Sequence, residues 1–274
     1  MITFVVPVKH YENCHSYFTA WKLLENTLAS VCNQTDENFD VIVVSNKTLN
    51  DFSNHKKIKN VKFIEVDWEP PASSESWQIE KPTDEARCMD HIRKDRGTKF
   101  VLALSQIREE ENHYVMFVDA DDFIHKNLAQ YINNSNKDFL KITKGFRLGS
   151  NSSFKELLQF YEKCGTCNIT KIELLKEEIN FAGITTNSSQ QDIIQSTEDY
   201  YLKRIIGSHR WSFQHFKKKG YSGGVVPFYS AMYNCSHNEQ HSNKAKTNTF
   251  KDICTDKMLE EFGIKTLSDW SANN

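Results

Sequence analysis

The chain has 274 residues, of which 39% are hydrophobic and 26% are charged, as expected of a soluble globular protein with one large domain. Its formal net charge of -2 excludes the strongly basic footprint of a nucleic-acid-binding protein. No apolar run approaches the ~20 residues that a transmembrane segment needs, and the N-terminus lacks a signal-peptide pattern. The seven cysteines, an odd number, favour reduced thiols. We therefore expect a cytoplasmic protein, either free or peripheral at a membrane.

Strands and a helix alternate at the start of the chain. Apolar, strand-like runs cover residues 2–8, 39–44 and 61–66. The intervening helix has an apolar face formed by Tyr17, Trp21, Leu24, Leu28 and Val31. This order predicts a right-handed βαβ unit, a parallel sheet and the α/β fold class.

The next elements are predicted from shorter patterns. We expect a loop over residues 67–98, because it contains paired prolines and serines. A helix capped by Thr98 should follow, and the continuous apolar run 114–118 predicts a central strand covered on both faces.

The second half of the chain is less regular. We predict a strand near residues 139–142 and a helix around 154–161. A long helix should run from Glu198 to Lys219 and end at Gly220, followed by a strand over residues 225–233.

An acidic segment follows the central strand: Asp119, Ala120, Asp121 and Asp122. In an open α/β sheet, ligands bind just beyond the carboxyl ends of the strands. Carboxylates at that position can hold Mg²⁺ or Mn²⁺, which prefer oxygen ligands and neutralise a diphosphate leaving group. The alternative is that these residues cap the next turn, a role that fits Asp122 best.

Three segments together resemble glycosyltransferase family 2: residues 4–8, residues 28–44 and the acidic segment. The likeness covers residues 2 to 124 well and the rest more weakly. It implies the GT-A fold, an α/β nucleotide-sugar-binding fold with a mostly parallel central sheet flanked by helices.

The same resemblance implies how the chain is divided between its substrates. Residues 1–124 would form the nucleotide-sugar-binding half. Residues 125–274 would form the acceptor-binding half and a C-terminal extension of the same domain.

The resemblance also implies a set of donor-binding residues: Pro7, Val8, Ser45, Asn46, Arg96, Lys99, Asp119, Ala120 and Asp121. The family usually has aspartates where Ser45 and Asn46 stand. These two side chains can still hydrogen-bond a base or ribose, but the departure leaves the nucleotide's identity open. For Arg96 and Lys99 taken singly, a solvated helix start is an equal alternative to contact with the base or diphosphate.

Inverting sugar transfer requires a carboxylate that takes the proton of the acceptor hydroxyl. The resemblance assigns this role to Asp199, with Glu198 in support. The alternative is that both are acidic residues at a helix start, where the helix dipole favours negative charge.

Histidines provide the remaining candidates. By resemblance His237 completes the metal site, with His241 as its substitute, and a surface loop histidine is the alternative. On the acceptor side the candidates are His209, Arg210 and Trp211, although His209 and Trp211 also fit the core face of a helix.

The sequence therefore predicts a metal-dependent, hexosyltransferase-like inverting glycosyltransferase. It would move a sugar from a nucleotide-sugar donor, by resemblance a UDP-sugar, to a hydroxyl of a glycan or other acceptor. Two alternatives stay open: a nucleotidyltransferase, and a non-catalytic nucleotide- or carbohydrate-binding protein of the same fold. The lone pair Cys164 and Cys167 has neither further zinc ligands nor a thioredoxin-like context, so we expect both to pack as small residues near the acceptor side.

Overall fold

The computed structural model describes residues 1–48, 60–71, 90–108, 110–239 and 249–264. Its strands are β1 (Ile2–Pro7), β2 (Phe39–Ser45), β3 (Val61–Glu65), β4 (Tyr114–Phe117), β5 (Phe123–Ile124), β6 (Phe139–Ile142), β7 (Gly145–Leu148), β8 (Ser153–Leu157), β9 (Asn168–Lys171), β10 (Gly223–Val226), β11 (Ala231–Asn234) and β12 (Asp252–Ile253). Its α-helices are α1 (Tyr17–Val31), α2 (Asp90–Ser105), α3 (Leu128–Asn133), α4 (Ile172–Lys176), α5 (Gln190–Gln195), α6 (Ser212–Lys218) and α7 (Asp256–Glu261). A π-helical turn covers Tyr201–Ile206, and short 3-10 turns cover Tyr11–Asn13, Ser150–Ser152 and Phe160–Glu162.

The main sheet has seven strands in the order β10-β6-β9-β4-β1-β2-β3. Strands β3, β2, β1 and β4 are parallel to one another, and β6 and β10 are parallel to each other. Strand β9 runs antiparallel to both β4 and β6. The predicted α/β class with a mostly parallel central sheet flanked by helices is confirmed, and so is the parallel pairing of β1 with β2.

Both faces of this sheet are covered, which explains the continuous apolar runs in β1, β2 and β4. On one face Phe4 packs in a cluster with Trp21 of α1. On the other face Val5 packs in a cluster with Phe100 and Leu104 of α2. Because successive side chains of a strand point to opposite faces, an all-apolar strand is required where helices lie on both sides.

The parallel strands bring three chain segments to one edge of the sheet. Strand β1 ends at Pro7, β2 at Ser45 and β4 at Phe117, and these strands are neighbours in parallel register. The acidic segment that follows β4 therefore lies beside the residues that follow β1, where α/β folds bind ligands.

A second sheet has five strands in the order β12-β8-β7-β11-β5. Strand β5 directly follows the acidic segment, and β11 pairs antiparallel with it through Met232 opposite Phe123. This pairing returns the C-terminal part of the chain to the acidic segment, so that the residues just after β11 lie next to it.

Several sequence predictions in the second half were wrong. Residues 154–161 form strand β8 and a 3-10 turn instead of a helix. The long helix predicted over 198–219 is broken: the π-helical turn ends at Ile206 and α6 begins at Ser212. The break lies where the chain packs tightly against α2, since a Cβ on Gly207 would lie 2.2 Å from the carbonyl oxygen of Arg93.

Two boundaries also differ from the predictions. Helix α2 already covers Asp90 to Thr98 of the stretch predicted to be a loop, and Thr98 lies inside the helix instead of capping it. Residues 72–89 of that stretch lie outside the described residues. The strand predicted over 225–233 is two strands, β10 and β11, in different sheets. Pro227 separates them, since proline cannot donate a hydrogen bond to a sheet.

Two further predictions concern the environment of the chain. Among the described residues, Cys14, Cys164, Cys167 and Cys254 have free thiols, in agreement with the prediction of reduced cysteines. Among the described residues, no helix combines the length and the apolar character required to cross a bilayer.

Candidate active site

A cavity of about 310 Å³ lies at the carboxyl edge of the main sheet. It brings together part of the predicted donor and acceptor set, namely Pro7, Val8, Arg96, Asp119, Ala120, Asp121, His209 and Arg210. Segments distant in sequence meet here because β1, α2, β4 and the loop after the π-helical turn all end or pass at this edge.

Asp119 is held by an ion pair. Its Oδ1 lies 2.7 Å from Nη2 of Arg96, and its backbone N–H donates to the hydroxyl of Thr166 at 2.9 Å. A Cβ at Gly165 would lie 2.4 Å from Oδ2 of Asp119 and 2.5 Å from Nη2 of Arg96. Only a glycine leaves room for this pair. Burial raises the pKa of Asp119, while the charge of Arg96 opposes that rise.

Asp121 faces an imidazole. Its Oδ2 lies 3.1 Å from Nε2 of His237, and Nε2 makes no aligned hydrogen bond. Neighbouring ligands of one octahedral ion bound at about 2.1 Å are roughly 3 Å apart, so the spacing suits two ligands of one cation. The amide of Glu239 donates to Nδ1 of His237 at 3.1 Å. Because a ligating Nε2 must be unprotonated, metal binding by His237 requires it to give up that contact and carry its proton on Nδ1.

Asp122 is a fully buried acceptor of hydrogen bonds. Its Oδ2 accepts from the hydroxyl of Thr166 at 2.5 Å and from the thiol of Cys164 at 2.9 Å. Its Oδ1 accepts from the backbone N–H of Asn234 at 3.1 Å, which ties β11 to the acidic segment. Burial, and then the charges of Asp121 and Asp119, raise the pKa of Asp122 well above its usual value.

The three carboxylates form an environment suited to a cation. Asp119, Asp122 and Cys164 offer ligand atoms that lie within 4.8 Å of one another. Asp121 opposes ionisation of Asp119 and Asp122, and a divalent ion would relieve that repulsion. The thiol of Cys164 is poorly suited to the role, because burial raises its pKa well above its usual value and a ligating thiol must be deprotonated. The donor set that fits Mg²⁺ or Mn²⁺ is therefore the exposed part of the carboxylate cluster, chiefly Asp121.

Three predicted donor-binding residues do not line the cavity. Lys99 is fully buried, and its ammonium group donates to the carbonyl of Val8 at 2.9 Å and to Oδ2 of Asp95 at 3.0 Å. Lys99 therefore acts on the cavity indirectly, by binding two residues that line it. Asn46 donates to the carbonyl of Trp68 at 3.2 Å. The Oδ1 of Asn46 and the hydroxyl of Ser45 are buried without a hydrogen-bond partner.

The predicted base and one acceptor candidate also lie away from the cavity. Glu198 is exposed, and the side chain of Asp199, 67% exposed, pairs with Lys203 at 2.7 Å. Trp211 lies against the guanidinium groups of Arg93 and Arg204, at 5.1 and 5.2 Å from its ring centre. Glu198 and Asp199 thus lie exposed at the start of a helix, as the alternative interpretation of these two residues predicted. His241 lies outside the described residues.

The cavity also contains residues that sequence reasoning missed. Glu239 is buried, and its carboxylate accepts from the backbone N–H groups of His15 and Ser16 at 3.1 and 2.6 Å, at the start of α1. Asp95 lines the wall with one oxygen, Oδ1, unpartnered. Its i, i+4 spacing from Lys99 was a readable signal. Nothing local in the sequence marks Glu239, since its partners lie at the other end of the chain.

Comparisons with known proteins give a limited result. No protein-family model and no curated protein sequence matches the chain. Among solved structures, Staphylococcus aureus TarS 1-349 is similar with a TM-score of 0.44 and 17% identity, over 85% of this chain and 60% of that one. The glycosyltransferase GlyE of Streptococcus pneumoniae TIGR4 is similar with a TM-score of 0.42 and 9% identity, over 98% of this chain and 63% of that one.

A nucleotidyltransferase lies in the same range of similarity. A putative glucose-1-phosphate thymidylyltransferase from Bacillus anthracis has a TM-score of 0.38 and 8% identity, over 92% of this chain and 98% of that one. The chain spans about three fifths of the TarS and GlyE structures. At these scores the similarity carries no argument about function, which must come from the site itself.

Proposed function

We propose that this protein is a metal-dependent glycosyltransferase of the GT-A type that uses a nucleotide-sugar donor, by family resemblance a UDP-sugar. One observation carries the proposal: Asp119 and Asp121 follow a buried parallel strand and line a cavity that also presents unpaired cations. Within the described residues, Lys163 and Arg210 line the cavity, are exposed and have no carboxylate partner. A diphosphate would provide that partner.

The charges around the cavity support this choice of ligand. Its cationic residues are Lys9, Arg96, Lys163 and Arg210, and its carboxylates are Asp95, Asp119, Asp121 and Glu239. These lists balance, so a divalent cation and a diphosphate can enter together with little net change in charge. A bound Mg²⁺ or Mn²⁺ would supply electrostatic stabilisation of the leaving diphosphate.

The residues of the chain divide the work between them. Asp121 would hold the cation, with His237 as a further ligand. Asp119 would also bind the cation while it keeps its ion pair with Arg96. That ion pair fixes Arg96 in the cavity wall, where its guanidinium group can also bind phosphate oxygens. Asp122 would orient the segment through its buried hydrogen bonds. We place donor binding on the segments that follow β1 and β4, and acceptor binding on elements after residue 124.

We further propose inversion at the anomeric carbon, as the family resemblance implies. Inversion requires a group that takes the proton of the attacking hydroxyl. Asp199 was the sequence-based candidate, but its carboxylate pairs with Lys203 outside the cavity. The substitution Asp199→Asn tests whether Asp199 is the base. Because the carboxylate of Asp199 lies outside the cavity, we expect nearly normal turnover. Free thiols at Cys14, Cys164, Cys167 and Cys254 fit the predicted cytoplasmic location.

The test is product analysis on a panel of nucleotide-sugars, with Mn²⁺ and with EDTA. A glycosyltransferase releases a nucleoside diphosphate from one donor, and only when the metal is present. A nucleotidyltransferase incubated with a nucleotide-sugar and pyrophosphate would instead form a nucleoside triphosphate and a sugar phosphate. Binding of a nucleotide-sugar without turnover across the donor and acceptor panels would favour a non-catalytic binding protein.

A further inference from the structure

His209 contributes an unpartnered imidazole to the cavity wall. Within the described residues, neither ring nitrogen makes a hydrogen bond, and the backbone carbonyl of His209 accepts from Nδ2 of Asn168 at 3.0 Å. Nε2 is shielded from solvent, whereas Nδ1 is not. Nε2 therefore carries the cost of a buried polar atom without a partner, and a ligand in the cavity cannot reach it. Nδ1 is the ring nitrogen that a ligand can reach, because His209 lines the cavity and no described residue bonds that atom.

The backbone around His209 is positioned by two close approaches to α2. A Cβ on Gly97 would lie 2.6 Å from the carbonyl oxygen of Leu202, and a Cβ on Gly207 would lie 2.2 Å from that of Arg93. The π-helical turn and the residues after it can therefore lie directly against α2. This packing, together with the hydrogen bond from Asn168, fixes the backbone of His209 at the cavity.

The surroundings of His209 keep its ring uncharged. Burial is the largest cause, and the cations Arg96, Arg210, Arg93 and Lys141 add to it; together they lower the pKa of His209 to about 3. These cations come from α2, from β6 and from the residue next to His209. In a neutral imidazole Nδ1 either carries the proton or offers a lone pair, and a hydroxyl group can complement either tautomer because it both accepts and donates. Phosphate oxygens are better served by the neighbouring Arg210 and Lys163.

We propose that Nδ1 of His209 binds a carbohydrate hydroxyl in the cavity, of either the donor's sugar or the acceptor. The proposal rests on the proposed function and adds a residue that recognises the sugar, separate from those that hold the metal and the diphosphate. It also separates His209 from Trp211, which lies outside the cavity against two guanidinium groups.

The test compares His209→Leu with His209→Asn. Leucine removes the hydrogen bond at similar volume, whereas the asparagine amide places a polar group near the position of Nδ1. Calorimetry in Mn²⁺ measures the affinity for a nucleotide-sugar and for its nucleoside diphosphate, starting with UDP-glucose and UDP. The KM is measured for the acceptor that supports turnover in a screen of p-nitrophenyl glycosides. His215→Leu, on α6 with its imidazole 2.9 Å from Glu178, is the matched control.

Loss of one neutral hydrogen bond predicts a roughly three- to tenfold effect in His209→Leu, largely restored in His209→Asn. If the hydroxyl belongs to the donor, affinity for UDP-glucose falls while affinity for UDP does not. If it belongs to the acceptor, only the acceptor KM rises.

Two results would overturn the proposal alone: no change in any of these quantities, or an equal loss of affinity for UDP-glucose and UDP. Failure of the wild-type protein to bind any nucleotide-sugar or nucleoside diphosphate is a different result, because it would refute the proposed function as well.

Discussion

Neighbouring aspartates in the acidic segment should respond to substitution in opposite ways. Asp122 is buried and accepts three hydrogen bonds, from Thr166, Cys164 and the backbone of Asn234. The hydroxyl and thiol can turn to other partners, but the backbone N–H of Asn234 cannot. Leaving a buried donor unpaired costs about 1–3 kcal/mol, and each other lost bond about 0.5–1.5 kcal/mol.

For Asp122→Ala we therefore expect the free energy of unfolding to fall by roughly 2–4 kcal/mol, since release of a buried carboxyl group offsets part of the loss. Asp122→Asn keeps an acceptor for Asn234 and should lose only about 1 kcal/mol. For Asp121→Ala we expect a change within about 0.5 kcal/mol, because its side chain is partly exposed and its ion-pair partner in the described part of the chain is His237 alone.

Urea unfolding followed by circular dichroism measures these differences, and nucleoside diphosphate release measures activity on the same samples. Asp121→Ala should be folded and inactive. If Asp122→Ala were as stable as Asp121→Ala, the buried hydrogen bonds would not organise the segment. If Asp121→Ala were unfolded, its role would be structural and the metal assignment would lose its basis.

Four other substitutions test separate parts of the account. Asp199→Asn should keep kcat within about twofold, because its carboxylate is exposed and paired with Lys203; loss of transfer with intact donor binding would restore its assignment as base. Gly165→Ala should lower kcat/KM roughly 10- to 100-fold by displacing the pair of Asp119 and Arg96, and normal kinetics would show that the pair is dispensable. His237→Gln should weaken Mn²⁺ binding roughly tenfold in calorimetry, and unchanged binding would remove it from the metal site. His209 has a pKa lowered from 6.5 to about 3, so the unfolded chain binds its proton first as pH falls below 6.5. Stability from this group is complete above that pH and is lost below it by up to about 1.4 kcal/mol per pH unit; urea unfolding of His209→Asn should show a shallower acid loss than the wild type, and equal slopes would refute the assigned burial.

The sequence predicted those parts of the fold whose patterns are local. The apolar runs of β1, β2 and β4 are buried on both faces, and the periodicity of α1 continues without interruption from Tyr17 to Val31. The acidic segment could be placed at a sheet edge because a strand's carboxyl end is readable from where its apolar run stops.

Predictions failed where distant contacts decided the local structure. The helix expected over 198–219 has a continuous apolar face, but it is interrupted at Gly207, where the chain packs tightly against Arg93 of α2. Lys99 was predicted to contact the base or diphosphate, yet the carbonyl of Val8 and the carboxylate of Asp95 bind its ammonium group inside the protein. The contacts with Arg93 and with Val8 join residues far apart in the sequence, so no local pattern marks them.

Part of the cavity lining could be expected from the sequence. Asp119 and Asp121 directly follow a buried strand, and the carboxyl ends of such strands lie at the edge of the sheet where the cavity is found. Acidic residues at a helix start are common, so Glu198 and Asp199 could not be distinguished from that background by sequence. Glu239 carries no local signal, because it acts by closing a loop onto the start of α1.

The central claim is that Asp121 holds a divalent cation required for sugar transfer. Its most direct test is nucleoside diphosphate release measured against Mn²⁺ concentration for the wild type and for Asp121→Asn, which has the same shape without the charge. We predict saturable activation of the wild type, complete loss in EDTA, and no activation of folded Asp121→Asn at any Mn²⁺ concentration. Release that persists in EDTA, or an Asp121→Asn variant activated like the wild type, would contradict the claim.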